Sequence, residues 1–325
     1  MIYQTLRTFL LALFALLSAC SLQPPIPPGG WNFAVMGDTP YDAREEALLR
    51  PMIKQMNSEN LAFVVHVGDI ISGEGRCSDA AFEQRKTLFQ GFSHPFVLIP
   101  GDNDWTDCHR GGFDPMERLT RFRQVFATGD ANLGKHGIKL ERQSDFDERY
   151  RDYSENVRWR MNEVVFVGLN IPGSNNNLGR TTQMDFEYRH RMEANFEWLD
   201  QAVKKAEQPG VSALVVLIQA NPDFEGTWKH PPGVADGFEA LRRVLATHAQ
   251  WLNKPLLFVH GDTHKFQVDR PSKDPASGKP LANLLRLEVD GSPRVGWARI
   301  NVNPATPGLF IIRREDAPLP PPEIN

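Results

Sequence analysis

Phe63-Val-Val-His-Val-Gly68-Asp69 is a short, β-prone apolar run that stops at a glycine and an aspartate, and the chain repeats the pattern. The other instances are Phe33-Ala-Val-Met-Gly37-Asp38, Phe96-Val-Leu-Ile-Pro-Gly101-Asp102 and Leu256-Leu-Phe-Val-His-Gly261-Asp262. An apolar run of this kind reads as a strand buried on both faces, as in sheets covered by helices. The aspartate then falls just past the strand's C-terminal end, where α/β sheets place their ligand sites. If the four strands are neighbours, four carboxylates converge. Two such charges about 4 Å apart repel by roughly 4 kcal/mol at an effective dielectric of about 20, so a dry site holding several calls for cations or protons. Divalent metal meets that need. Any single Gly-Asp, taken alone, reads first as an ordinary strand-ending turn. Gly129-Asp130, which lacks a preceding apolar run, is read in that way.

The segments between the runs set the fold class. Asp42 to about Asn57 reads as a helix with Asp42 as N-cap and Pro51 as a kink. Ser78–Leu88 follows as a helix and Phe96–Ile99 as a strand, giving β-α-β-α-β. Asp114-Pro115 opens a helix carrying Leu119, Phe122, Val125 and Phe126 on one face. Residues 129–160 are polar and without a clear period, read either as an insertion over the site or as a solvated excursion. Val164–Leu169 is a strand, Pro172–Gly179 a loop and Phe186–Ala206 a long amphipathic helix. Strand Ala213–Ile218, helix Phe238–Leu252 and strand Leu256–His260 lead to the last Gly-Asp. Beyond it Leu284–Val289, Gly296–Val302 and Leu309–Ile312 alternate like antiparallel strands. Mixed first and all-β late, this order points to a four-layer α/β/β/α sandwich of two mixed sheets flanked by helices, over residues 31–316. The proline-rich 317–325 is expected to be a disordered tail.

At 325 residues, 41% hydrophobic and 23% charged, the chain has ample length for a core. A formal charge of −4 gives no electrostatic case for nucleic acid. Arg7 precedes the apolar stretch Phe9–Leu17, too short to span a bilayer and suited to a secretory signal. Leu17-Ser18-Ala19-Cys20 resembles the bacterial lipobox, which implies a signal peptide over 1–19 and lipidation at Cys20. By the usual sorting rule Ser21 then implies the outer membrane, facing the periplasm. Residues 20–30, with Pro24-Pro-Ile-Pro-Pro-Gly-Gly30, form a stiff tether. Cys77 and Cys108 are left, and in an exported chain a disulfide between them is expected; the alternative is two unrelated small buried residues.

In order and spacing the pattern resembles the calcineurin-like metallophosphoesterases, whose blocks run D-x-H, G-D, G-N-H-D/E, a His-bearing strand end and G-H-x-H. The matching segments are Gly37-Asp38-Thr-Pro40, Gly68-Asp69, Gly101-Asp102-Asn103-Asp104, Gln219-Ala-Asn221-Pro222 and Gly261-Asp262-Thr-His264. Asn195-Phe-Glu-Trp198-Leu199 looks like the helix that precedes the fourth block. The resemblance implies two divalent metals, a water between them that attacks phosphorus, and hydrolysis of a phosphate monoester or diester. It makes Asp69 the bridging ligand, Asp38 a ligand of the first metal and His264 a ligand through a neutral imidazole.

This chain departs from the family at its histidines. Pro40 stands for the first-block histidine and cannot ligate. Without a gap, Asp102 falls at the metal-binding Asn and Asn103 at the catalytic His; a one-residue shift makes Asn103 the ligand. Gln219 or Asn221 takes the fourth-block position, and Asp262 replaces the first His of the fifth. Oxygen donors favour Mn²⁺, Mg²⁺ or Ca²⁺ over a zinc pair, with iron and zinc remaining open. His109 is a candidate replacement acid, and Arg110, Arg180 and Lys265 are candidate phosphate clamps; each is otherwise a solvated surface residue. His66 and His260 are expected to pack within the sheets or support ligands. A phosphoesterase is therefore the first expectation, and a catalytically impaired protein binding metal or a phosphorylated envelope component the second. A hydrolase with a nucleophilic Asp fits less well, because such sites rest on one Asp-x-Asp pair, whereas the aspartates here follow four separate apolar runs.

Overall fold

The computed structural model describes residues 29–130, 132–271 and 278–318. The expected signal peptide, Cys20, most of the tether and most of the expected tail lie outside the described residues. One sheet holds β1 (Trp31–Met36), β2 (Val64–His66), β3 (Phe96–Leu98), β11 (Gly296–Val302) and β12 (Phe310–Asp316), in the order β12-β11-β1-β2-β3. The other holds β4 (Glu141–Arg142), β5 (Val157–Met161), β6 (Val164–Gly168), β7 (Ala213–Leu217), β8 (Leu256–His260), β9 (Gln267–Asp269) and β10 (Leu284–Glu288). Its order is β4-β5-β6-β7-β8-β10-β9. Strands β1, β2 and β3 run parallel, as do β6, β7, β8 and β10.

The two-residue period of a strand sorts each apolar run between two cores. Phe33, Val35, Phe63 and Val65 face the other sheet and meet Phe166, Val215 and Leu257. The rings of Phe33, Phe63 and Phe166 stand with centroids 5.0 to 5.2 Å apart. Burying a ring of that size contributes about 2 to 3 kcal/mol. Ala34, Met36 and Val64 face outward onto α1 (Ala43–Asn57), α2 (Asp79–Phe89) and α3 (Pro115–Phe126). Leu214, Val216 and Phe258 do the same under α5 (Thr182–Glu207) and α6 (Glu239–Leu252). The result is the expected four-layer sandwich. Helix starts follow the capping residues: Asp42, Ser78 and Asp114 each accept a backbone N–H from the first turn they precede.

One stretch carries more structure than its sequence suggests, and one pairing needs correction. Within residues 129–160, read as an insertion over the site or a solvated excursion, the described residues from Glu141 onward build the β4–β5 edge and pack against α3 and α5. Gln143 donates to the Ala194 carbonyl at 2.7 Å, Asn156 to Asn195 Oδ1 at 2.8 Å, and Arg123 pairs with buried Glu155 at 2.6 Å. Buried polar side chains that satisfy one another leave no apolar period to read. Leu284–Glu288 also pairs parallel with β8, Leu284 opposite Leu256, and antiparallel only with the unforeseen β9. The segment between Asp262 and Leu284 is long enough for a parallel crossover, which the alternation of β10 does not reveal. The loop after β6 contains a single turn, α4 (Gly173–Asn176).

Candidate functional site

The parallel strands end level, and Asp38, Asp69 and Asp262 follow them with φ of 51°, 61° and 82°. Left-handed backbone costs an L-residue of order 1 kcal/mol or more, and aspartate tolerates it better than most side chains. Here it turns the carboxylates into one another's reach. The Asp262 N–H donates to Asp38 at 3.1 and 3.2 Å, and Gln219 Nε2 lies 3.0 Å from Asp69 Oδ2 and 3.4 Å from Asp262 Oδ1. The glycines of the motif make this possible. A Cβ on Gly101 would come within 2.1 Å of Asp69 Oδ1, and one on Gly261 within 2.0 Å of Asp38 Oδ2.

The third block supplies both a carboxylate and a clasp. Asp102 Oδ2 receives Ser174 Oγ at 2.8 Å, while its buried Oδ1 has no protein partner. A Cβ on Gly173 would meet Asp262 Oδ1 at 2.5 Å and Asp102 Oδ2 at 2.8 Å, so these two carboxylates flank one glycine. Asn103 donates to Asp69 twice, through its backbone N–H and through Nδ2, each at 3.0 Å. Asp104, fully buried, accepts the backbone N–H groups of Gly101 at 2.7 Å, Asp69 at 3.0 Å and Ile70 at 2.9 Å, tying the β2 loop to the β3 loop. The Cys77–Cys108 disulfide lies beneath, with Cα atoms 5.6 Å apart and both sulfurs 3.5 Å from the Asn103 carbonyl oxygen.

The amide side chains expected as ligands hold other bonds. Gln219 Oε1 accepts the Gly173 N–H at 2.6 Å, so its NH₂ is what faces the carboxylates. Asn221 Oδ1 accepts the Asp223 N–H at 2.9 Å, and its backbone N–H donates to Asp262 Oδ2 at 3.0 Å. His264 Nε2 is 3.5 Å from Asp38 Oδ1 and 3.3 Å from the Tyr41 hydroxyl, and its Nδ1 is 2.7 Å from the Ser292 carbonyl. His109 is exposed on the 3₁₀ turn Thr106–Gly111, its Nδ1 2.9 Å from the Thr106 carbonyl and 3.3 Å from Arg180. Arg110 and Arg180 both pair with Asp107, whereas Lys265 is exposed and contributes its backbone N–H to Glu288 at 3.2 Å. His66 and His260 are buried against backbone of the strand ends, His66 Nε2 2.8 Å from the Thr39 carbonyl.

Sequence reading overlooked Tyr41, Asp104, Asp107 and Ser174. The Tyr41 hydroxyl donates to Asp69 Oδ2 at 3.2 Å and accepts from Asn103 Nδ2 at 3.2 Å. Asp104 carried a signal, since it closes the third block; the others are single polar residues in loops.

Crowding shows in the electrostatics. Burial and the neighbouring Asp102, Asp38, Asp104 and Asp262 push the Asp69 carboxyl well up, and burial followed by Asp102 does the same at Asp262. Burial and Asp107 raise Asp102 to about 7. Burial and then Asp69 raise the Tyr41 phenol, which therefore keeps its proton. Burial opposes a charge on His264, yet the bond to Asp38 prevails and lifts it to about 9.

Among the described residues no three His, Cys, Asp or Glu side chains are arranged, as they stand, to hold a metal ion. The donor chemistry nevertheless fits a hard cation: mutually repelling carboxylates at Asp69, Asp102 and Asp262, Asp38 beside them, and the unpartnered Asp102 Oδ1. Asp38, Asp69, Asp102, Asp262 and His264 are the residues that could bind it.

No family model and no curated protein sequence matches the chain. Solved structures do. PhoD is similar at 13% identity with a TM-score of 0.53, covering 86% of this chain and 66% of its own. The purple acid phosphatase PPD1 from yellow lupin (Lupinus luteus) seeds is similar at 10% identity with a TM-score of 0.51, covering 90% of this chain and 53% of its own. The chain therefore spans about half to two thirds of these proteins. In its two sheets and helical outer layers the chain shares the fold of PhoD and of this purple acid phosphatase.

Proposed function

We propose that this protein is a phosphoric-ester hydrolase that uses divalent cations, of the Mg²⁺, Mn²⁺ or Ca²⁺ kind, to cleave a phosphate monoester or diester. The observation that carries this reading is the convergence of Asp69, Asp102 and Asp262 around Gln219 and Gly173, with Asp38 bonded to the Asp262 N–H. Cations held there would offset the repulsion, lower the pKa of a water and neutralise charge developing on phosphoryl oxygens. Tyr41, protonated and in contact with His264, donates its one hydroxyl proton to Asp69 and so helps to hold that carboxylate. Gln219 and Asn103 keep the Asp69 carboxylate oriented. We further propose that the protein is exported and lipidated at Cys20, facing the periplasm from the outer membrane. The Leu17–Cys20 segment and a disulfide of the kind that persists in oxidising compartments support this.

A second reading, binding without turnover, is favoured by the four protein donors that already satisfy Asp69 and by the absent family histidines. Protein beginning after Cys20, assayed with 4-nitrophenyl phosphate and bis(4-nitrophenyl) phosphate in Mg²⁺, Mn²⁺, Ca²⁺ and Zn²⁺, decides between them. Metal-dependent turnover lost in Asp69→Asn supports hydrolysis. Metal uptake by elemental analysis with no turnover supports the second reading, and neither uptake nor turnover refutes both.

A further inference from the structure

One further carboxylate lies beside the site, linked to it through Ser174. Asp107 has a side chain only 1% exposed, yet its oxygens gather four polar side chains: Arg180 and, at 3.2 Å, Thr106 Oγ1 on Oδ1, and on Oδ2 Arg110 and Ser174 Oγ, each at 2.6 Å. The same Ser174 hydroxyl lies 2.8 Å from Asp102 Oδ2, so the group abuts the crevice carboxylates. The guanidiniums are not buried with their partner, the Arg110 side chain being 48% and that of Arg180 25% exposed. Ser174, Gly173 and Gln219 come from the opposite wall. Residues Ser174 to Asn177 hold φ of 49°, 54°, 56° and 66°, a left-handed turn that L-residues adopt only where the surroundings impose it. Those surroundings are present: buried Arg191 donates to Asn176 Oδ1 at 2.6 Å and to its carbonyl at 3.0 Å, and Asn176 Nδ2 reaches the Gly237 carbonyl at 3.1 Å.

We propose that Arg110 and Arg180, spaced by Asp107 and abutted by Ser174, form an anion subsite that takes the non-reacting oxygens of a phosphate monoester dianion. Asp107 holds Arg110 on Oδ2 and Arg180 on Oδ1, so it fixes the two forks side by side. A guanidinium fork matches two phosphoryl oxygens. Arg180 places Nη1 on the Thr106 carbonyl at 2.6 Å and Nη2 on Asp107, and Arg110 places Nη2 on Asp107, so the N–H groups left over on the pair are those offered to the three terminal oxygens of a monoester; a diester has two, and its second organic group must occupy the remaining direction. Paired with the one carboxylate of Asp107, the two arginines leave one net positive charge, which offsets part of the repulsion that the neighbouring carboxylates exert on a dianion. Asp107 acts through the arginines and is a positioning residue. The choice of substrate rests on the hydrolase reading, whereas anion binding does not.

The test uses protein beginning after Cys20 and its Arg110→Ala, Arg180→Lys and Asp107→Asn variants, with inorganic phosphate and the two 4-nitrophenyl esters as probes. Each substitution is expected to weaken phosphate binding in calorimetry about tenfold, the size of one charge-assisted contact. The preference for monoester over diester should fall by a similar factor, through KM rather than kcat. Arg110→Ala, at an exposed position, guards against misfolding as the cause. Unchanged phosphate affinity and unchanged ester preference in all three would overturn the subsite while leaving hydrolysis standing. Phosphate binding that weakens in the variants, in a protein that turns over neither ester, would support the subsite and remove the hydrolase reading. Failure of the parent protein to bind phosphate at all overturns the subsite.

Discussion

Asp104→Ala is the perturbation that most directly probes how the crevice is built. The wild-type carboxylate is fully buried and receives three backbone N–H groups, from Gly101, Asp69 and Ile70, across two loops. Alanine leaves all three donors buried without an acceptor. An orphaned buried donor costs about 1 to 3 kcal/mol. Against that stands the penalty the carboxylate itself carries, visible in burial raising it to about 6 despite the three bonds. Taking the lower half of the range for each donor, the loss is about 3 to 6 kcal/mol, a large part of the stability of an ordinary domain. Asp104→Asn keeps one acceptor oxygen but turns an NH₂ toward backbone donors, and should lose about half as much. Urea unfolding at pH 7.5 measures both, read as a shift in midpoint at constant slope. A loss under about 1 kcal/mol in Asp104→Ala would mean that the two loops do not depend on this clasp, and the account of how Asp69 is positioned would fail.

Three further outcomes follow from the same geometry. Replacing Cys77 and Cys108 with serine opens a 31-residue separation and should cost about 3 to 4 kcal/mol in the chain-entropy model; unchanged urea midpoints would count against it. Tyr41→Phe retains the ring packed against His264 at 5.6 Å but removes the bond to Asp69, so turnover should drop about tenfold while stability shifts by only about 1 kcal/mol. Burial lowers His66 to about 4, below its unfolded value, so the stability it contributes is complete above about pH 6.5 and lost as pH falls through 4. Between pH 7 and pH 4 the wild type should therefore lose about 3 kcal/mol relative to His66→Gln, and parallel pH profiles would refute this.

Much of the architecture was written locally. Apolar runs such as Phe63–Val67 marked the strands, capping residues such as Asp42, Ser78 and Asp114 marked helix starts, and the recurrent Gly-Asp marked the crevice. Parallel pairing of Leu284–Glu288 with β8 was not legible, because a period of two is the same in either direction. The β4–β5 edge was hidden by polar residues such as Gln143 and Glu155, whose burial depends on partners on other elements. Tyr41, Asp107 and Ser174 share that reason: a lone polar loop residue has no periodicity, and its role comes from what the fold sets opposite it.

What the chain by itself determined is which residues end strands and what chemistry they carry, since strand formation, glycine's small size and aspartate's charge are properties of a few neighbouring residues. What only the tertiary structure decided is which atoms face which. Gln219 offers its NH₂ to Asp69 because its oxygen is taken by Gly173, and two arginines become neighbours because Asp107 lies between them. Hydrogen bonds and charges act over a few ångströms in space, so partners remote in sequence are chosen only when the sheets and loops have been assembled.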